Sequence, residues 1–432
     1  MNKQRRILVS WYTNPAYIPP FVLSDHQVTL GPQLHPAQPQ MMFSAWSPKG
    51  AYDLKAALEV AAMPKNYDAV VVWTDAWGAN QPLNLEAFDC PTVLCVGDTH
   101  HMQTPLRKVL DYASKTRFDY VLCGYNRQHL HWFADAGYAN LAWLPGLPVQ
   151  HIPRPFVSSR KSQLCFVGSF HDHPRRHHLL VELDRQSVPL VTMRASREDS
   201  ADLYASSAVS FNASLNGDLN LRVFEILSAG GCLMTDRLSP GAGLDLLLAE
   251  GKEFLGYDTV EECVTQARFL LAHPGAALAI AEAGNRAYTA SMLPERRANE
   301  LLSWIFDGRL DSLFRPAVAA SSANRADLND RIRVYEELQE LHRVRQARVL
   351  FSDDVPEIYI SDALDLRQLV ICLGDFGNRV VPERPAEISQ RCATVSRAQM
   401  EAIVWDCIIT PAQTTVPPSV RFRQLITAHT SI

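Results

Sequence analysis

Residues 209–237 read VSFNASLNGDLNLRVFEILSAGGCLMTDR. The order of residue types predicts a strand, a polar loop, a short helix, a glycine stop and a second strand. Residues 209–212 are a short apolar run closing on small polar residues, and 212–220 hold turn and cap formers around Leu215 and Leu219. A helix is expected from Asn220, a favoured N-cap, through Ser228, with Gly230 and Gly231 supplying the left-handed stop before 232–235. That is an α/β crossover unit. In an open α/β sheet, ligands bind in the crevice outside the carboxyl ends of the strands, where a helix N-terminus presents unpaired N–H groups to an anion. Asn212, Ser214, Gly217, Asp218 and Asn220 are expected to line that crevice.

Arg222 and Glu225 are three apart and share a helix face distinct from that of Val223, Ile226 and Leu227. An arginine and a glutamate there suit a phosphate and a sugar diol. An Arg/Glu pair at this spacing is otherwise a solvated ion pair. Setting decides between the two: the pair stands in a strand–helix–strand unit rich in asparagine and glycine.

The run NGDLNLRVFEILSAGGCLMTD resembles the donor-binding core of glycosyltransferases with the two-domain GT-B fold, and within them the spore-maturation-protein-like group. The resemblance continues through GKEFLGYDTVEECVTQARFLLAHPGAALAIAEAGNRAY and covers about 160–306. It implies that Glu225 holds the ribose hydroxyls of a nucleotide diphosphate sugar, with UDP the default carrier, and that the preceding loop and helix start hold the diphosphate. It implies a retaining outcome as well. Many retaining members have two glutamates eight positions apart, and here Gly217, with Asp218 beside it, stands at the first position.

At 432 residues the chain has length for about three domains, and 47% hydrophobic with 20% charged residues is the composition of a globular protein. A net charge of −5 argues against a general nucleic-acid-binding surface. No run reaches the apolar length of a membrane span. The opening MNKQRRILVSWYTNPAYIPP has a basic start but too short an apolar core for a signal peptide. Nine cysteines, an odd number with no CxxC pair, are expected to be buried reduced thiols of a cytoplasmic protein.

The organisation expected is α/β of GT-B type: two doubly wound, Rossmann-like domains facing across a cleft, followed by a C-terminal α/β extension. The domains are placed at 1–155, 156–310 and 311–432, with the first on the acceptor side and 145–155 as linker. In the first, 7–12, 67–73, 91–96, 118–123 and 141–144 read as strands. The proline-rich forty residues after the first strand cannot make long regular elements, and a helix is expected over 51–62. Asp98, His100 and His101, beyond the strand PTVLCV, are the candidate catalytic residues, since a positioned carboxylate or imidazole is the usual general base. The competing role for this loop is that Asp98 or Thr99 caps the next helix.

QLCFVG opens the second domain, with Gly168 at the strand end and Arg175 and Arg176 near a helix start, a reasonable diphosphate cradle. His171, His173, His177 and His178 follow no metal-ligand spacing, so no metal or resident cofactor is expected, the nucleotide diphosphate sugar being a co-substrate. The helix over 296–306 is expected, by the resemblance, to cross back onto the first domain. Beyond it a small-residue linker precedes an amphipathic helix with Leu328, Ile332, Tyr335, Leu338, Leu341 and Val344 on one stripe, and EIYI, LVICLG and AIVWDCIIT read as strands. Residues 326–348 or the C-terminal module offer a homodimer contact.

The function implied is metal-independent transfer of a sugar from a nucleotide diphosphate donor to an acceptor, whether glycan, protein or small molecule. A non-catalytic nucleotide- or glycan-binding assembly protein, and a nucleotide-sugar hydrolase or epimerase, are the alternatives.

Overall fold

Ile7–Trp11 (β1) is buried at every position, as a parallel strand covered on both faces demands. The computed structural model describes residues 4–316, except 12–21, 33–43, 75, 98, 100–103, 126, 150, 170–173, 215–217 and 239, together with 328–329, 332, 357–361 and 392–396. Contacts divide the chain into two units. One is Met1–Gln150 with Met292–Ser321, the other His151–Ser291 with Ser322–Ile432.

The first unit continues through β2 (Val28–Pro32), β3 (Ala45–Ser47), β4 (Gly50–Asp53), α1 (Leu54–Val60), β5 (Ala69–Thr74), β6 (Asn80–Leu83), β7 (Thr92–Val96), α2 (Pro105–Ala113), β8 (Tyr120–Cys123), α3 (Leu130–Asp135) and β9 (Leu141–Trp143). Its main sheet has the order β3-β2-β1-β5-β7-β8-β9 and is parallel throughout. The chain thus winds outward from β1 in both directions. Here the structure adds short strands that local pattern does not foretell: β2 and β3 lie in the proline-rich segment, where pairing onto β1 supplies the order. The helix expected over 51–62 starts later, because Gly50–Asp53 pairs with β6 instead. Asp53 then caps α1 by accepting from the Ala56 N–H at 2.9 Å.

The helix Pro294–Asp307 belongs to this first unit by its contacts. Its Arg297 is buried, donates from Nε to the Pro145 carbonyl at 3.0 Å and pairs with Glu300 at 2.5 Å. Trp304 meets Tyr120 edge-on, with ring centroids 4.8 Å apart.

The second unit runs β10 (Lys161–Val167), α4 (Pro174–Arg185), β11 (Leu190–Met193), α5 (Arg197–Ser206), β12 (Ser207–Phe211), α6 (Leu221–Ser228), β13 (Leu233–Asp236), α7 (Leu244–Leu247), β14 (Leu255–Tyr257), α8 (Val260–Ala272) and α9 (Pro274–Ser291). Its parallel sheet has the order β11-β10-β12-β13-β14. Phe166, Val209, Phe211, Met234 and Tyr257 from the strands pack with Val264, Ala267 and Ala281 from α8 and α9 in one core. The chain therefore has the GT-B-like architecture of two Rossmann-like α/β units. α7 is a single turn that ends at Leu247, and Glu250 beyond it pairs with Arg237 at 2.6 Å.

α6 forms as its sequence predicts. Asn220 accepts the Arg222 N–H at 3.1 Å, and the far end closes with Gly230 N–H on the Leu227 carbonyl at 3.1 Å and Gly231 N–H on the Ile226 carbonyl at 2.8 Å. This is the paired C-terminal closure in which the residue after the cap is left-handed, and Gly230 has φ +76.

Of the C-terminal extension, Glu357–Ser361 (β15) pairs antiparallel with Cys392–Ser396 (β16), so EIYI forms a strand as expected. LVICLG, AIVWDCIIT and the helical stripe from Tyr335 onward lie outside the described residues, as does all of 326–348 but 328–329 and 332. Cys90, Cys95, Cys123, Cys165, Cys232 and Cys263 are free thiols. Burial pushes the Cys165 thiol up to about 11 and the Cys232 thiol up to about 12.

The two glycines closing α6 make different demands. A Cβ on Gly231 would sit 2.8 Å from Ser210 Oγ and 2.9 Å from Ile226 Cγ2, whereas Gly230 meets only Phe156 at 3.6 Å and costs a left-handed alanine. Gly230→Ala should destabilise by about 1 kcal/mol and Gly231→Ala by about 2 kcal/mol. Chemical denaturation of the full chain reads the order, and a milder Gly231 variant would mean that the helix end does not press on β12.

Candidate functional site

In the second sheet β10 lies between β11 and β12, and the chain leaves β10 toward β11 but leaves β12 toward β13, in opposite directions. Such a switch point opens the crevice where ligands bind in doubly wound sheets. Gly168 follows β10 and Asn212 follows β12. α6 begins beside them, and its Arg222 reaches both.

Arg222 spans the fork. Its Nε donates to the Val167 carbonyl at 2.7 Å, its Nη1 to Asn212 Oδ1 at 2.8 Å, and its guanidinium carbon lies 4.5 Å from the Phe166 ring centre. Nη2 fills the space beside Gly168: a Cβ there would be 2.3 Å from it, on a backbone already at φ +144. Gly168 is thus required by a close approach of an arginine. Its own N–H is spent on the Met193 carbonyl at 3.0 Å, so it is no phosphate donor.

Asn212 is also committed. It is buried, accepts from Arg222, donates from Nδ2 to Thr235 Oγ1 at 2.9 Å, and its carbonyl takes the Tyr257 hydroxyl at 2.7 Å. Ser214 is held through two bonds to the buried Asp236, from its N–H at 2.9 Å and from its hydroxyl at 2.6 Å. Arg176, in the first turn of α4 and 6% exposed, donates from Nε to the Ala213 carbonyl at 2.8 Å and from Nη1 to the Ser169 carbonyl at 3.5 Å. Asn212, Ser214, Arg176 and Arg222 therefore build the crevice wall. Sequence nominated them as ligand contacts; the bonds named here also shape the loops.

Glu225 stands apart from these. It is half-buried one turn along α6 from Arg222, on the expected face beside the buried Val223, Phe224, Ile226 and Leu227. No ion pair joins it to Arg222. Its carboxylate has no hydrogen-bond or ion-pair partner among the described residues. Its charge is still felt: burial first, and then Glu225, push the Tyr204 phenol well above its ordinary value. Asn220 adds a second open group, because its Oδ1 caps α6 while Nδ2 is buried with no partner among the described residues. Asp218 is buried in the same loop.

The side chain of Arg175 lies outside the described residues, as do Gly217, His171 and His173. So do the three candidate catalytic residues Asp98, His100 and His101. Thr99 between them is buried and its Oγ1 lies 2.7 Å from Nδ1 of the buried His129. It does not cap α2, whose N-cap position is Thr104 with no side-chain bond. No group of three or more His, Cys, Asp or Glu that could hold a metal ion is found among the described residues, and no described helix is long and apolar enough to cross a membrane.

Three residues of this site went unnamed by sequence. Phe166 supplies the ring under Arg222, Asp236 fixes the Ser214 loop, and Arg194 donates from Nη2 to Ser169 Oγ at 2.6 Å. Asp236 and Arg194 follow or end strands, the position sequence reasoning weighs most; the register that brings β11 and β13 beside the fork is what was missing.

Residues 174–303 match the family model described as Glycosyl transferase-like. No curated protein matches the chain by sequence. Among solved structures, HepE from Anabaena in complex with UDP aligns with a TM-score of 0.50 at 11% identity, over 70% of this chain and 100% of that one. A glycosyltransferase from Rickettsia africae aligns with a TM-score of 0.49 at 9% identity, over 70% of this chain and 98% of that one. Sucrose-phosphate synthase from Thermosynechococcus elongatus aligns with a TM-score of 0.48 at 10% identity, over 71% of this chain and 100% of that one. At such identity the likeness to HepE is one of fold.

Asp236→Ala removes two hydrogen bonds that hold Ser214 and should cost about 2 kcal/mol. Amide exchange at Ser214 should quicken by at least an order of magnitude while α8 stays protected. Unchanged exchange at Ser214 would show that the loop is held from elsewhere.

Proposed function

We propose that the chain is a glycosyltransferase that moves a sugar from a nucleotide diphosphate sugar to an acceptor, with the donor seated at the switch crevice of the second unit. The observation that carries this is the Glu225 carboxylate. It is half-buried, an arginine lies one turn away, and that arginine is turned elsewhere. An ionised carboxylate held partly out of water without a partner is costly. A ribose diol, with two hydroxyl donors, satisfies it with charge-assisted bonds.

The reaction breaks the bond between the anomeric carbon and the phosphate oxygen and forms one to an acceptor oxygen, whose proton must leave. The negative charge that develops on the departing diphosphate is stabilised by fixed donors and cations at the crevice, and the group needs no reorganisation to do so. Asp98, His100 or His101 is the proposed base. UDP is the nucleotide proposed, and retention the proposed outcome, both resting on the family resemblance. Gly217 in place of a first glutamate favours, as second reading, a binding protein on the same scaffold. The two differ in turnover, since a binder holds nucleotide without releasing sugar.

Calorimetric titration of UDP, GDP, dTDP, ADP and CMP into wild type and Glu225→Ala should find one nucleotide that binds, with affinity falling about ten- to a hundredfold in the variant. Equal affinity of both proteins for every nucleotide would remove Glu225 from the site. Asp98→Asn and His100→Ala should slow sugar transfer and leave nucleotide affinity unchanged; full rates in both would displace the base.

A further inference from the structure

Three guanidinium groups converge on the turn that follows β10. Arg222 holds the Val167 carbonyl at 2.7 Å, Arg176 the Ser169 carbonyl at 3.5 Å, and Arg194 the Ser169 hydroxyl at 2.6 Å. Neither Arg194 nor Arg222 has a carboxylate partner among the described residues. Like charges gathered on neutral acceptors repel one another, and a ligand with more than one negative charge relieves them.

The three are unequal. Arg176 is buried and bound to two backbone carbonyls, while Arg222 bridges two strand ends and lies against Phe166. Moving either would open the loops that form the crevice. Arg194 is exposed and uses a single N–H on a hydroxyl, which leaves four of the five guanidinium donors for a ligand. It is also held in place: Arg194 directly follows Met193, whose carbonyl accepts the Gly168 N–H at 3.0 Å, so its backbone is registered against the fork.

On the donor reading above, we infer that Arg194 is the arginine that binds the donor's diphosphate, and that Arg176 and Arg222, which sequence nominates for that role, position the loops around it. Planar, bidentate donation suits two phosphate oxygens, and Ser169 keeps the guanidinium aimed when the site is empty.

The test is calorimetry of the full chain with matched nucleosides and nucleoside diphosphates, uridine against UDP and guanosine against GDP, in wild type, Arg194→Ala and Arg194→Lys. The expected result is a fall of about ten- to a hundredfold in diphosphate affinity for Arg194→Ala. Nucleoside affinity should stay unchanged and Arg194→Lys should recover part of the loss. Because Arg194 is exposed, the variant should keep the wild-type melting temperature, which separates a binding defect from unfolding. If wild type binds a diphosphate and Arg194→Ala keeps the same preference for it over the nucleoside, the assignment to Arg194 falls and the donor reading stands. If Arg194→Ala weakens only a UDP-linked sugar acid and not UDP, the residue reads a sugar carboxylate and the assignment also falls. If wild type binds no diphosphate, both fall.

Discussion

A single guanidinium set into the fork between two parallel strands governs the second unit. Where β10 and β12 diverge, the sheet would leave the Val167 carbonyl and the Asn212 amide facing a widening gap. Arg222 reaches from the start of α6 and closes that gap with two hydrogen bonds, 2.7 and 2.8 Å long. The residue after β10 must then be glycine, because the arginine stands where a side chain would begin. The helix must also begin where it does, since its second residue is the bridge. A cation half out of water on neutral acceptors is electrostatically incomplete, even with the Phe166 ring beneath it.

The geometry of α6 follows from that commitment. With Arg222 drawn toward the strands, Glu225 on the same face loses the partner that spacing alone would give it. The helix is short but closely held. Asn220 caps one end, the glycine closure seals the other, and Asn285 donates to the Leu227 carbonyl at 2.7 Å. A helix held at both ends keeps the Glu225 carboxylate at a fixed depth. The neighbouring loop is held by Asp236, which accepts from the Ser214 N–H and hydroxyl.

Much of this was legible in the amino-acid order because it is local. The N-cap at Asn220, the stop at Gly230, the apolar face of α6 and the continuous runs of the parallel strands all depend on contacts within a few residues. The short strands β2, β3, β4 and β6 were not legible. Each is three to five residues long and gains its order only by pairing with a strand distant in sequence. α1 lost its first turn for the same reason. Within the site, sequence pointed to polar residues at strand ends but not to the bonds they make with one another, since a polar side chain at a strand end looks alike whether it meets a ligand or a neighbouring carbonyl.

The sequence by itself determined the alternation of strands and helices, the two Rossmann-like units and the position of the crevice, because hydrophobic period, caps and glycine stops act over one or two turns. Only the tertiary structure decided which polar groups remain available at that crevice. Strand register set Met193 against Gly168, and so brought Arg194 to the turn after β10. The divergence of β10 and β12 drew Arg222 away from Glu225. Both outcomes depend on distances between chain segments tens of residues apart, and no spacing along the chain encodes them.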